Sequence, residues 1–466
     1  MPRTLDTDYL VIGAGAMGMA FTDSLIDHAD VHVTLVERRS RAGGHWEDAY
    51  PFVRLHQASL FYGVASTVLG TGAIQQDGPE AGLQERAPQS DIQDYYDDIL
   101  QRRFLGSGRV SFLGGHEHEG ETDRGRHRVR DLASGEPVEV TVRRRVVDAT
   151  YLSPTVPATT PPPFAIADDA RVVAVNELAR LDQAPGGYVI VGSGKTATDG
   201  IVWLLTNGVA PDRITWVRPR DPWMLNRAVV QPDPVVAFTL AAATMAAAAE
   251  AESPDDLFLR LEAAGVMLRV DPDVVPTMAK TPTLATWELD LLRSVDRVVR
   301  LGHIRRVTAA EVELDEGTVR LGPGTLVVHC AAAGLQYPPL VPVWGPDRIR
   351  IQTIRSGFPC LNAALTGYVE ATRDDDGERN RLCPPNTLPD RPGDWAWMQA
   401  RGAQTGAVQA AEPDLVEWLN GCALNPARVE ASRRDDPAVL DAVARAAEAR
   451  GRGLARLSAL AVAPAA

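Results

Sequence analysis

The sequence predicts an α/β protein built from two Rossmann-like dinucleotide-binding domains, the second inserted in the first, with a helical C-terminal tail. An apolar strand followed by a glycine loop and a helix occurs twice, at Tyr9 and again at Tyr188, and strand-like segments return after the second copy. At 466 residues the chain has room for two or three domains, each with its own core. The expected division is 1–160 for the first part of the first domain, 161–305 for the inserted domain with a helical region, and 306–466 for the return and the tail.

The first copy reads as a strand from Tyr9 to Ile12, a helix from about Ala16 to Asp27, and a second strand from Val31 to Val36. In Gly13-Ala14-Gly15-Ala16-Met17-Gly18 the first glycine allows a tight turn and the second lets a pyrophosphate approach the backbone. The third, Gly18, lets helix and strand pack closely, and the helix N-terminus then faces the phosphates. Glu37 ends the next strand, where an acid accepts from a ribose hydroxyl, with Arg38 beside it. A two-phosphate cradle with a ribose-binding acid suits FAD rather than FMN.

Gly43-Gly44-His45-Trp46 then supplies flexible backbone and a flat aromatic on which a flavin or nicotinamide ring can lie. From Tyr50 to His56 the chain reads as extended, which puts Arg54 and His56 on one face and Leu55 on the other. If that face looks at a flavin, a cation and an imidazole able to move protons near neutral pH stand at the reaction centre; the alternative is a structural histidine. His56, Arg54 and His45 are the candidate catalytic residues.

Arg109 to Thr150 carries short β-type segments between polar turns, the pattern of an antiparallel meander. His116-Glu117-His118-Glu119 within it fits the alternation of a surface hairpin better than a metal site, so no metal is expected. The prolines between Pro154 and Pro163 exclude a helix or central strand there and mark a linker.

The second copy is Gly192-Ser193-Gly194-Lys195-Thr196-Ala197, after the strand Tyr188 to Val191, with alanine in the place of the third glycine. The NTPase phosphate-loop pattern fails because Val189 stands where its first glycine belongs. After the strand Ile214 to Val217 comes no acid but Arg218, then Arg220; an arginine there pairs with a ribose 2′-phosphate and favours NADPH over NADH, the alternative being a solvated arginine at a strand end. Gly192, Gly194, Lys195, Thr196, Arg218 and Arg220 are therefore the expected second set of cofactor residues. Two dinucleotide sites in one chain suit hydride transfer from nicotinamide to flavin.

Composition narrows the class further. With Asp+Glu at 61 against Lys+Arg at 47, the net charge of -14 opposes nucleic-acid binding. The four cysteines contain no C-x-x-C, which disfavours a disulfide reductase, and the N-terminus leaves no room for a leader, so a cytoplasmic protein is expected. The uncharged run from Val235 to Ala249 is too short for a membrane span and reads as a buried or capping helix.

With these residues in view, the sequence resembles the class B flavin monooxygenases, which include Baeyer-Villiger, flavin-containing and N-hydroxylating enzymes. The resemblance runs well from Tyr9 to Arg227 and more loosely afterwards: GAGAMG with Glu37, then GGHW, YPFVR, Ser59 and Tyr62, APQSDIQDYY from Ala87, VVDATYLSPTVP, GSGKTATD with WVRPRDPW, and HCAAAGL from His329 as the return to the first domain. Two departures stand out. The Baeyer-Villiger signature F-x-G-x-x-x-H is not kept, since Ile166 and Ala170 follow Phe164 at its glycine and histidine positions, and His56 stands where those enzymes carry an aspartate. The resemblance implies an FAD-dependent, NADPH-consuming monooxygenase that acts on a small organic substrate and O2 through a C4a-(hydro)peroxyflavin, with carbon, nitrogen and sulfur all open as acceptors and a homo-oligomer allowed. The alternatives are an NAD(P)H-dependent flavoprotein reductase or dehydrogenase without a stable peroxyflavin, and a cofactor-binding scaffold without turnover.

Overall fold

The computed structural model describes residues 3–462 apart from Ala333 and Leu335, so those two positions of the HCAAAGL return lie outside the described residues. The chain opens with β1 (Arg3–Ile12), α1 (Ala16–His28) and β2 (Val33–Glu37), and continues through α2 (Gln89–Asp98) to β3 (Val110–Gly114), β4 (His116–Asp123), β5 (Arg126–Asp131) and β6 (Pro137–Asp148). Strands β3, β2, β1 and β6 lie side by side in parallel. Every residue of β2 is buried, as expected of a strand covered on both faces.

Only part of the expected meander is antiparallel. β4, β5 and β6 form it, whereas β3 pairs in parallel with β2. The apolar residues Val110 and Leu113 of β3 are buried against that sheet, and this burial outweighs the local hairpin signal.

After the proline linker, which carries no regular element up to β7 (Ala165–Ile166), the chain makes β8 (Val172–Ala174), β9 (Gly187–Val191), α3 (Lys195–Thr206) and β10 (Ile214–Val217). Then follow β11 (Trp223–Asn226), α4 (Pro234–Glu250), α5 (Pro254–Ala263), β12 (Met267–Arg269), β13 (Thr283–Leu284), α6 (Thr286–Arg293) and β14 (Val298–Val299). A small antiparallel set, β15 (Ile304–Val307), β16 (Glu311–Leu314) and β17 (Gly317–Arg320), precedes β18 (Thr325–His329). The second parallel sheet has the order β14-β10-β9-β18-β8. Because β18 lies between β9 and β8, the inserted domain runs through His329 rather than ending at residue 305. The strands seen in the sequence after 305 belong to the insertion, and the one that rejoins the first sheet is β19 (Arg348–Arg350), parallel to the end of β6.

The return is completed by α7 (Pro359–Thr372), whose Gly367 lets it lie on α1: a Cβ there would stand 2.5 Å from the Phe21 carbonyl oxygen. The tail is helical, as expected, with α8 (Asp376–Leu382), α9 (Pro392–Gln409), α10 (Pro413–Gly421) and α11 (Pro437–Leu460). The alanine-rich run is α4, started by an Asp233 cap that accepts from the Val235 N–H at 2.8 Å. It packs on α11, where a Cβ on Gly453 would stand 2.4 Å from the Met245 carbonyl oxygen. Among the described residues no helix is long and apolar enough to cross a membrane.

Candidate functional site

Both glycine loops sit at the carboxyl ends of central strands, between strand and helix N-terminus. The leading glycines adopt backbone that other residues rarely reach, with φ of 96° at Gly13 and 122° at Gly192. Gly18 answers a packing demand, because a Cβ there would lie 1.9 Å from the Gly13 carbonyl oxygen. Ala197 takes the equivalent place in the second loop and is fully buried. A Cβ on Gly194 would meet nothing within 4 Å, so the second glycine of that loop borders open space.

In the first loop Glu37 is buried, with its Oε2 accepting from the Ala14 N–H at 2.9 Å and its Oε1 from the Arg39 N–H at 3.1 Å. One carboxylate therefore ties the end of β2 to the glycine turn. Arg38 is exposed and stands 3.5 Å from Glu117. Gly44 approaches the same loop so closely that its Cβ would lie 2.9 Å from the Gly15 Cα. Trp46 is held beside it by donating from Nε1 to the Tyr62 hydroxyl at 2.6 Å. His45 stacks on Trp46 with ring centroids 5.3 Å apart; burial, helped by Arg39, pushes its pKa down to about 4.

Arg54 and His56 both line the cavity, and so does Leu55 between them, so lining alone does not separate the two faces expected of an extended segment. Arg54 donates to the Arg86 carbonyl at 3.0 Å. Burial first, and then the cations Lys195, Arg227 and Arg86, hold the His56 imidazole well below its ordinary pKa. His56 is accordingly neutral at physiological pH, able to donate or accept a hydrogen bond but not to serve as a standing cation.

Lys195 opens α3 and is held, largely covered, in an ion pair with Asp199, one turn on. Asp199 also accepts from the Tyr50 hydroxyl at 2.7 Å, which links the inserted domain to the segment next to the first glycine loop. Thr196 lines the cavity beside it. Arg218 does not reach the cavity. Its side chain is 1% exposed, bonded to Asp221 at 2.9 Å and stacked over Trp216 at 4.5 Å, with Nε and Nη1 unpartnered. Burial lowers its pKa to about 10, so it stays charged. Arg220 does face the cavity, donating to Asp390 at 2.8 Å and to the Thr277 carbonyl at 2.8 Å.

Both glycine loops, Trp46, Arg54, His56, Lys195 and Arg220 line one cavity of about 1880 Å³. A pocket for a single small molecule occupies about 300–1,000 Å³. The larger volume matches two ligands that meet, and both glycine loops open into it. Its wall also holds residues not singled out from the sequence: Lys280, 3.8 Å from Asp390, and Thr281, whose φ of 46° is left-handed for a residue with a side chain. Neither lies in a glycine or strand-end pattern, and the fold brings them in from far along the chain.

A family profile described as an NAD(P)-binding Rossmann-like domain matches residues 11–64, from the end of β1 past His56. Uncharacterized protein Rv2000 of Mycobacterium tuberculosis (H37Rv) is 43% identical over 428 residues, 91% of this chain and 78% of that protein. Uncharacterized protein Mb2023 of Mycobacterium bovis matches to the same extent. The chain belongs to the family of these mycobacterial proteins. Beyond the family, an open crystal structure of cyclohexanone monooxygenase is similar at 15% identity, covering 87% of this chain and 98% of that one, with a TM-score of 0.53. Oxidized steroid monooxygenase bound to NADP is similar at 14% identity, covering 78% and 85%, with a TM-score of 0.51. This family member thus has the class B flavin monooxygenase-like fold, as the sequence resemblance implied.

Proposed function

We propose that the protein is an FAD-dependent, NADPH-consuming monooxygenase acting on a small organic substrate. The observation that carries the reading is the single cavity of about 1880 Å³ shared by two dinucleotide-type glycine loops from two domains. The residues fit the two cofactors: Gly13, Gly15, Gly44 and Glu37 form one cradle, and Gly192, open Gly194 and the α3 N-terminus form the other. FAD supplies hydride acceptance and oxygen activation when bound.

The chain's own residues bind, orient and shield. Glu37 fixes the first turn while offering its carboxylate to a ribose. Arg220, with Lys280 close by, is the cation placed to meet a 2′-phosphate from the cavity side, and both now share Asp390. Trp46 and Tyr62 wall the ring site. His56 presents a neutral imidazole there, which orients a bound group by hydrogen bonding and passes a proton only as another group supplies one.

The protein as purified, loaded with FAD, is mixed with NADPH without oxygen and then with ¹⁸O2 and a panel of small ketones, amines and sulfides. Bleaching of the flavin followed by one labelled oxygen atom in a product is the expected result. Bleaching with all oxygen recovered as H2O2 and no labelled product from any acceptor leaves a reductase, and absence of bleaching refutes the cofactor assignment itself.

A further inference from the structure

Four charged side chains behind the site, all nearly inaccessible, form a closed network across the two domains. Glu80 and Arg86 come from the first domain, Arg227 and Glu288 from the insertion. Arg86 donates to Glu80 through Nε at 3.0 Å and Nη2 at 2.5 Å. Arg227 uses all three of its donor groups: Nη1 to Glu80 at 2.6 Å, Nη2 to Glu288 at 2.7 Å, and Nε to the His56 carbonyl at 3.0 Å. The Thr283 hydroxyl donates to that same carbonyl, and Arg86 Nη1 donates to the neighbouring Leu55 carbonyl at 2.9 Å. Glu288 is fixed in turn by accepting from the Ala285 N–H at 2.8 Å at the start of α6.

A buried network of two cations and two anions is seldom the most stabilising way to fill a core, because desolvation consumes most of the Coulombic gain. What distinguishes this one is where its spare donors go. They end on two consecutive carbonyls of the segment whose side chains, Arg54 and His56, face the cavity.

We propose that Arg227, held by Glu80 and Glu288, is a positioning residue that reaches across from the inserted domain to fix the His56 backbone, so that the imidazole takes its working place only when the two domains are docked. The proposal rests on the reading that His56 stands beside the flavin, but its physical content is the coupling of Arg227 to His56. The cations that act on the imidazole are Lys195 on α3, Arg86 from the first domain and Arg227 from the insertion; their carboxylate partners are Asp199, Glu80 and Glu288, and Arg54 is the other charged group on its own segment. Among them Arg227 combines a repelling charge with a direct bond to the His56 backbone.

The test uses the full chain with ¹³C-labelled histidine, the His56 signal being identified among the nine histidines by its loss in His56→Gln. Its titration is followed by NMR, and amide hydrogen exchange is measured over residues 55–58. In the parent the signal should stay that of a neutral imidazole through the ordinary histidine range. Arg227→Gln removes a repelling cation and frees the carbonyl, so the midpoint should rise by at least about one pH unit, tenfold in proton affinity, and exchange over 55–58 should accelerate. Thr283→Val removes one bond to the same carbonyl without changing charge, so exchange should accelerate with the midpoint in place. A folded Arg227→Gln in which either quantity stays at its parent value overturns the proposal, since a merely structural arginine would lower stability and move neither. If Arg227→Gln does not fold, Thr283→Val decides: unchanged exchange over 55–58 overturns the proposal, and faster exchange supports it. Neither measurement uses flavin reduction, so failure here and failure of the monooxygenase reading are told apart.

Discussion

Arg220→Ala and Arg218→Ala separate two arginines that the sequence places two residues apart and the structure places in different surroundings. Arg220 lines the cavity with its guanidinium on Asp390, so on the proposed reading a 2′-phosphate would meet it by displacing that carboxylate. A charge-assisted hydrogen bond is worth about 1.5–3 kcal/mol, but part is already spent on Asp390 and Lys280 remains nearby. The lower end of that range applies, and Arg220→Ala should raise KM for NADPH about tenfold while leaving KM for NADH nearly unchanged. Arg218 is buried over Trp216 and bonded to Asp221, which keeps Arg300 as a second partner at 2.8 Å. Its loss removes a desolvated cation–π contact and one limb of an ion-pair network, about 3 kcal/mol together. Arg218→Ala should therefore lower Tm by several degrees and leave the NADPH/NADH ratio intact. The assay is steady-state KM for both nucleotides on each variant, with thermal unfolding alongside. Loss of NADPH preference in Arg218→Ala at an unchanged Tm would refute the reasoning, because it would mean that Arg218 leaves Asp221 to bind the phosphate.

Two further outcomes follow from the same geometry. Gly194→Val projects into open space and should fold with an unchanged Tm but bind NADPH weakly, whereas Gly18→Ala drives a Cβ to 1.9 Å from the Gly13 carbonyl oxygen and should lose stability and FAD together; thermal unfolding and cofactor titration of both variants check this. For Glu80, burial raises the pKa but the Arg86 and Arg227 contacts outweigh it and hold it at about 2, against 4.5 ordinarily. A depressed carboxylate stabilises fully above its unfolded value, and that contribution, about 3 kcal/mol, is lost as pH falls from about 5 towards 2. Denaturant unfolding across that window should show an acid-dependent limb in the parent that is flatter in Glu80→Gln, and parallel limbs would contradict it.

The strand, glycine loop and helix pattern was legible at both copies because each has a local cause: a positive φ at Gly13 and Gly192, and a packing contact at Gly18. The pairing of strands was less legible. β3 carries the same short-strand pattern as its neighbours, and only its burial beside β2 makes it parallel. The end of the insertion was misplaced at 305 because β18 looks like any apolar strand until it is seen between β9 and β8. At the site, Arg54 and His56 were singled out from a local segment, and both line the cavity together with Leu55. Arg227, Glu80, Glu288 and Lys280 were not, since their roles come from contacts between segments far apart in sequence.

The same distinction bears on chemistry. A histidine read from sequence carries its ordinary pKa near 6.5 and so looks like a proton carrier at neutral pH. In the folded chain, burial and the cations Lys195, Arg227 and Arg86 remove that charge, and two of those cations belong to the inserted domain. Burial comes first among these causes, and two of the three repelling cations reach the imidazole from the inserted domain rather than from its own segment. Were the domains to separate, the repulsion from Lys195 and Arg227 would fall, and the His56 carbonyl would lose its Arg227 and Thr283 donors. On the proposed reading, a site whose protonation state leans on cations from the second nucleotide domain takes its working form when both domains are in place.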